Sequence, residues 1–444
     1  MVRVLLAVAL LVSAVLFLGT SEPRRRVVRL PAGVVPLYGA WEVGDGVELR
    51  GSPSGTVLRV EPSLDERPFD GPGALVVGND VYLHDFTIDG NRDAMETRTG
   101  LPPSDVPFAR FTRGNGVYAV GARGLRIDNV KFQNVSGFAV LASRAHDVSL
   151  YRVTATDSGS RNAAGRNNAT GGILLEEGTT DFRVTQCELL RIRGNGVWTH
   201  SLYTSPRNAG GLILRNRFEE IGRDAIQVGH ATDVRVEENA GARIGFPEET
   251  VDIEDQAIPV GVDTAGNVER SSYARNRFEE IDGKCFDLDG FHDGDVRANE
   301  CINRGAPEQY RFGNYGIVMN NSNPDMQTRN IRVVENRIEG PSLGGIFVIG
   351  TGNLIARNRL IDLNRDHCNE EAARFGCYYA AGEPEMLSSG IYLGKGAARP
   401  AAARGNTVEQ NEITGFKMSG RCVARAPGIQ KDWNTVRDND CRDK

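Results

Sequence analysis

The chain carries two kinds of apolar pattern. Val4 to Leu18 is an almost unbroken apolar run preceded by a single charge at Arg3. From about residue 30 onward the apolar residues fall instead in short alternating stretches of three to five, such as Asp233-Val-Arg-Val-Glu-Glu and Asn330-Ile-Arg-Val-Val-Glu. Period-two stretches of this length predict β-strands. Each is followed by a recurring phrase: Asn216-Arg-Phe-Glu-Glu-Ile-Gly, Asn276-Arg-Phe-Glu-Glu-Ile-Asp, Asn336-Arg-Ile-Glu-Gly, Asn358-Arg-Leu-Ile-Asp-Leu and Asn411-Glu-Ile-Thr-Gly, with related asparagines at Asn129, Asn239, Asn299 and Asn439. Where nothing is inserted, the step is 22 or 23 residues (216 to 239, 276 to 299, 336 to 358). A fixed step of this size predicts a solenoid, one rung per repeat, with polar loops where the step lengthens. Asparagine tolerates a left-handed backbone, so the asparagines are expected at the bends between strands, where stacking rung on rung makes a side-chain ladder. A glycine-led strand opens each rung, as in Gly172-Ile-Leu-Leu-Glu, Gly196-Val-Trp-Thr-His, Gly316-Ile-Val-Met-Asn and Gly390-Ile-Tyr-Leu-Gly.

This pattern resembles the right-handed parallel β-helix of the pectate-lyase-like superfamily. The resemblance covers roughly residues 30 to 444 and implies an all-β, single-stranded solenoid of eleven or twelve rungs. Leu30-Pro-Ala-Gly, Val47-Glu-Leu-Arg-Gly and Thr56-Val-Leu-Arg-Val look like the N-terminal cap of that superfamily. Residues 1–21 read as a secretory signal, or as an anchor if uncleaved, and residues 22–444 as one β-helix domain.

Composition narrows the function. The chain has 444 residues, 40% hydrophobic and 25% charged, with 52 glycines and a net charge of −6. Arginine dominates the basic residues without forming a long basic run, which leaves nucleic-acid binding unsupported. A soluble, exported monomer without stable membrane insertion is expected. Export permits disulfides among the seven cysteines. Cys368 with Cys377 and Cys422 with Cys441 are the expected pairs, and Cys187, Cys285 and Cys301 leave an odd thiol.

Side chains alternate along a strand, so if the aliphatic positions point inward, the residues between them line an outer face. That face reads Leu174 and Glu176, Trp198 and His200, Gln227 with Gly229 or His230, Asp287 and Asp289, Val318 and Asn320, Phe347 and Ile349, and Tyr392 near Lys395, with Asp263 joining from an irregular rung. Loops 246–257, 304–314 and 364–389 precede these strands and 201–210, 322–328 and 396–405 follow them, so a walled trough is predicted. Carboxylates, histidines and aromatics on its floor suit a polysaccharide, with Trp198, Phe347 and Tyr392 as stacking surfaces and Glu176, Gln227 and Asn320 as polar contacts. Tyr378 and Tyr379 are expected to overhang it.

Asp287 and Asp289 stand at i and i+2 of one strand, roughly 7 Å apart on one face. That suits the general acid and base of an inverting glycosidase, whose carboxyls are about 6.5–9.5 Å apart. His200 and His230, on successive rungs, are expected to assist them or to bind a divalent metal. The phrase Asp287-Leu-Asp-Gly-Phe-His-Asp-Gly-Asp295 gathers four carboxylates and His292, so calcium at Asp293 and Asp295 is considered, although no cofactor is required. Pectate lyases pair calcium with a basic proton acceptor, and the predicted floor offers only Lys395. Asp224 resembles one half of the polygalacturonase Asp-Asp motif, but Arg223 occupies the other half and the Gly-His-Gly motif is missing, so no role is carried over. A glycoside hydrolase is therefore the leading expectation, ahead of a lyase or epimerase and of a non-catalytic carbohydrate-binding or surface solenoid.

Overall fold

A computed structural model describes residues 25–444, apart from 64–66, 95–100, 168, 252–257, 371–376, 379, 381 and 397. The predicted signal at 1–21 lies outside the described residues, as does Tyr379. Among the described residues, no helix is long and apolar enough to cross a membrane.

The strands wind into three parallel sheets of 13, 14 and 18 strands. Along the chain the order repeats: a groove-sheet strand such as Ile226–Gly229, then the second sheet (Ala231–Thr232 and Arg235–Glu237), then the third (Ala240–Ile244). Each strand pairs in parallel with its counterpart one rung away, as Ile226 does with Val262 and Val262 with Phe286. This is a parallel β-helix, and its 13 groove-sheet strands extend the expected eleven or twelve rungs. The segments read as an N-terminal cap are already rungs: Gly33–Leu37 pairs along its length with Thr56–Val60. Inward-facing residues from all three sheets, among them Phe286, Leu288, Tyr273, Phe278 and Phe291, form one continuous buried core.

Asparagines mark the bend between the second and third sheets and stack there in the expected side-chain ladder, but the left-handed backbone falls one residue earlier. The left-handed residue is the one before each asparagine: Arg215 (φ 56°), Glu238 (φ 55°), Arg275 (φ 57°), Ala298 (φ 52°) and Glu335 (φ 61°). Asn129, itself left-handed at φ 53°, stands one position out of line with the others. What selects asparagine is a buried amide ladder. Asn239 Nδ2 donates to Asn276 Oδ1 (2.9 Å), Asn276 to Asn299 (2.9 Å), Asn299 to Asn336 (2.9 Å), Asn336 to Asn358 (3.0 Å) and Asn358 to Asn411 (2.9 Å). Each side chain also accepts the backbone N–H of the preceding asparagine, as Asn276 does from Asn239 (3.1 Å). Donors and acceptors that a tight buried turn would orphan are thereby satisfied. Cys187 occupies the rung before Asn216, where its N–H donates to Asn216 Oδ1 (2.8 Å) and its thiol sits buried against the Thr185 carbonyl. It is the free cysteine.

Both expected disulfides are present, and Cys285 pairs with Cys301. This third bridge crosses the rung interior and ties the groove strand Lys284–Asp289 to the third-sheet strand Glu300–Ile302. Three disulfides fit an oxidising, extracellular or envelope compartment.

Truncating one ladder asparagine leaves buried partners on two rungs unmatched, at roughly 1–3 kcal/mol each. Asn276→Ala is expected to cost about 2–4 kcal/mol in equilibrium urea unfolding, and Asn439→Ala, at the partly exposed end of the ladder, less than half as much.

Candidate functional site

Register builds the site. Trp198, Gln227, Asp263, Asp287, Val318, Phe347 and Tyr392 occupy one outward row of the groove sheet, each paired with the next. Asp263, which the sequence placed insecurely, is thus directly beneath Asp287, about 4.8 Å away along the stack. A second outward row holds Glu176 opposite His200, Gly229 opposite Ala265, and Asp289 opposite Asn320.

The ends of this face are covered. The buried part of the segment 101–112 lies over the rungs of Phe138, Glu176 and Trp198, where the short helix Phe108–Phe111 seats Phe108 against Trp198 (ring centroids 4.8 Å apart), Phe138 (5.8 Å) and His200 (5.3 Å). Trp198, expected as a sugar platform, belongs instead to a small buried cluster with Phe108, Phe138, Leu141 and Leu174. Glu176, expected as a substrate contact, is fully buried: its carboxylate accepts the N–H groups of Phe108 (2.9 Å) and Ala109 (2.8 Å). At the other end Phe347 and Tyr392 stack on each other at 6.0 Å and are both buried, beneath the loop that precedes Gly390. Glu383 of that loop accepts the backbone N–H groups of Lys395 (2.7 Å) and Gly396 (2.9 Å). None of these three aromatics offers a free face.

In the middle of the trough Gln227, Lys284, Asp289 and Asn320 are partly exposed. Its free aromatics stand on the walls. Tyr203, 54% exposed, meets the His230 ring edge-on at 4.3 Å, and Tyr378, 48% exposed, lies where the charges of Lys284 and Asp287 act on its phenol.

Four carboxyls converge here. Asp224, Asp263 and Asp287 are each buried, and Asp289 is partly exposed. Lys284 forms an ion pair with Asp287. Burial works against the lysine's charge, but Asp287 and then Asp263 outweigh it, so Lys284 is held protonated. Gln227 donates to Asp263 (2.6 Å) and accepts from Asn195 (2.8 Å), which fixes the orientation of its amide. Burial, reinforced by the charges of Asp224 and Asp287, carries the Asp263 carboxyl well above the usual carboxylate range. Burial, opposed by Arg223 and reinforced by Asp287, takes Asp224 to about 7. Asp289 accepts the N–H (2.8 Å) and hydroxyl (2.5 Å) of Ser322, yet burial and then the neighbouring Asp287 charge still lift it to about 6.

The sequence gives Asp224 no role and does not single out Lys284. Each stands three places before a floor residue, Asp224 before Gln227 and Lys284 before Asp287, and Lys284 pairs with Val260, which precedes Asp263 by the same interval. That offset was the available signal. It was hidden because Asp224 precedes its strand and Lys284 opens one, at the edge of the period-two pattern.

The two histidines stand beside each other, and His200 also lies 3.9 Å from Glu176. His200 follows Trp198 on its strand, whereas His230 falls one position beyond the strand in a left-handed turn (φ 44°), with 6.4 Å between the two ring centroids. Burial, and then the His230 charge, lowers His200 to about 4, and burial also lowers His230. Asp293 and Asp295 leave the groove. The chain turns at Gly290 (φ 72°), so Asp293 lies in a second-sheet turn bound by His292 (2.8 Å), Asn330 (2.8 Å) and Arg329 (2.9 Å), and Asp295 faces Arg332 (3.3 Å). The nine-residue acidic phrase is split across a corner and forms no single oxygen-rich centre for calcium.

The family model "Right handed beta helix region" matches residues 74–241. No curated protein matches the chain in sequence. Solved structures similar to it include PfbA, a surface adhesin of Streptococcus pneumoniae (13% identity over 76% of this chain and 84% of that one, TM-score 0.51). Another is the catalytic domain of a GH87 alpha-1,3-glucanase in complex with tetrasaccharides (13% identity, 93% of this chain and 64% of that one, TM-score 0.51). A third is the periplasmic alginate epimerase AlgG (12% identity, 93% and 83%, TM-score 0.51). At these identities the likeness establishes the fold, a right-handed parallel β-helix.

A carboxyl whose folded pKa exceeds its unfolded value, about 3.9 for aspartate, binds its proton more tightly in the native chain. The stability it lends is complete below about pH 4 and is lost as pH rises through its folded pKa. For Asp289 and Asp224 that window runs from about 4 to about 7. Asp224→Asn is therefore expected to flatten the fall in stability between pH 5 and pH 8 by roughly 1–3 kcal/mol, measured by chemical denaturation at both values.

Proposed function

We propose that this chain is an exported glycoside hydrolase that cleaves a polysaccharide lying in the trough, with inversion at the anomeric carbon. The observation that carries this reading is the pairing of Asp287, ion-paired with Lys284, and Asp289, whose carboxyl is lifted to about 6, on one open face. At i and i+2 their side chains are about 7 Å apart, which leaves room for a water between base and sugar. Environments that push two carboxyls apart in proton affinity divide the roles of acid and base between them.

Asp289 donates its proton to the glycosidic oxygen, and Asp287 takes one from the attacking water. Asp263, kept protonated beneath Asp287, donates a hydrogen bond to a sugar hydroxyl in the neighbouring subsite. Tyr203 and Tyr378 supply apolar ring faces from the two walls. The glucanase and epimerase among the similar folds support a carbohydrate ligand without fixing the reaction.

The presence of Lys284 in the groove favours β-elimination or epimerisation as a second reading, since both need a base beside a uronate. The protonated state of Lys284 weighs against it: an ammonium pairs with a uronate carboxylate but abstracts no proton. A single β-helix domain over residues 22–444, delivered by a signal at 1–21, completes the reading.

Incubated with neutral and uronate polysaccharides, the purified chain is expected to release reducing ends without the ultraviolet absorbance of an unsaturated uronate. Activity falls as pH rises past about 6, where Asp289 loses its proton. Asp287→Asn and Asp289→Asn each lower the rate by about 10²–10⁴. Absorbance without hydrolysis establishes the elimination reading, and glycan binding with no product, unaltered in both variants, establishes a binding solenoid.

A further inference from the structure

We propose that Glu176, Glu177 and His200 form a binding site for one divalent transition-metal cation of the zinc or manganese class, which ties the covering segment 101–112 to the groove floor. One oxygen from each glutamate and one imidazole nitrogen lie within 4.8 Å of one another. A cation bound at about 2.0–2.2 Å from each ligand needs them somewhat closer, a contraction within reach of small side-chain rotations at Glu177 and His200.

Three features favour a cation here. Two successive glutamates, one fully buried and the other nearly so, meet no lysine or arginine in an ion pair among the described residues; His200, 3.9 Å from Glu176, is the basic neighbour. The buried Nδ1 of His200 has no hydrogen-bond partner, so an imidazole nitrogen is left toward the carboxylates. Both glutamates are already oriented by donors from elements that the ion would join. Glu176 holds the N–H groups of Phe108 and Ala109, and Glu177 accepts from Leu202 N–H (2.8 Å) and the Ser205 hydroxyl (2.5 Å) on the wall. Such bonds fix ligand direction as outer-shell partners do in metal sites. Two carboxylates with one imidazole suit zinc or manganese, whereas calcium prefers an all-oxygen set.

This site is distinct from the acid cluster. Three rungs separate His200 from Asp287, about 14 Å at the strand spacing, so the ion would brace the roofed end of the trough rather than enter the reaction.

The test is titration of the chelator-treated, dialysed chain with zinc and manganese chlorides at neutral pH, followed by calorimetry and thermal unfolding, with cobalt(II) as a spectroscopic probe. One equivalent is expected to bind, raise the unfolding temperature and, for cobalt, give visible absorption of a low-coordinate site. His200→Ala and Glu177→Gln are expected to weaken binding at least tenfold, and Asp293→Asn to leave it unchanged. Absence of saturable binding by all three metals overturns the proposal on the wild-type chain alone. So does one-to-one binding that both His200→Ala and Glu177→Gln leave intact.

Discussion

In-register stacking of rungs is the constraint from which the rest follows. Parallel strands about 4.8 Å apart place each side chain directly over its counterpart, so a choice made on one rung is felt on the next. Where the stacked groups are complementary, the repeat stabilises itself. Asparagine carries a donor and an acceptor on one amide, so a column of asparagines satisfies its own members and the buried turn around them. Where the stacked groups are alike in charge, the same geometry works against the fold. Asp263 and Asp287 on adjacent rungs, with Asp224 close by, share the groove with Lys284 ion-paired to Asp287, while burial reinforced by the neighbouring carboxylates raises Asp263 and Asp224. Tolerating such a column in an otherwise self-consistent solenoid is the mark of a functional site.

The repeat made the fold legible. Asparagine phrases at 22 or 23 residues, alternating apolar strands and glycine-led openings fix the rung and the phase of each strand, and with them the positions of Gln227, Asp287, Asp289 and Asn320 on the outer face. Less legible was anything contributed from outside the period. Trp198, Glu176, Phe347 and Tyr392 have the right phase for the groove, but segments with no strand pattern lie over them: residues 101–112 at one end and the loop around Glu383 at the other. A period-two reading reports which way a side chain points and says nothing of what returns to cover it. Lys284 and the role of Asp224 were less legible for the complementary reason: one opens a strand and the other precedes one, at the edge of the alternating pattern. The asparagine ladder is legible in the repeat, but the left-handed residue is the neighbour before each asparagine, a position where the sequence varies among Arg215, Glu238, Arg275, Ala298 and Glu335.

Covering both ends concentrates the accessible chemistry. A trough open along thirteen rungs presents its whole floor, whereas this groove leaves carboxyls, a lysine and wall tyrosines together in its middle. The third disulfide reinforces this, since Cys285 lies between Lys284 and Asp287 and anchors their strand across the rung interior. Rigid placement of the acid strand is what a reaction with a 7 Å spacing between acid and base requires.

Burial, reinforced by the stacked carboxylates, keeps a proton on Asp263 at neutral pH, and the infrared carbonyl stretch of protonated carboxyl groups reads this directly. In difference spectra at pH 7, the wild-type chain is predicted to show a protonated-carboxyl band that Asp263→Asn removes. A wild-type spectrum at pH 7 with every carboxyl ionised, or a band indifferent to Asp263→Asn, would contradict the account.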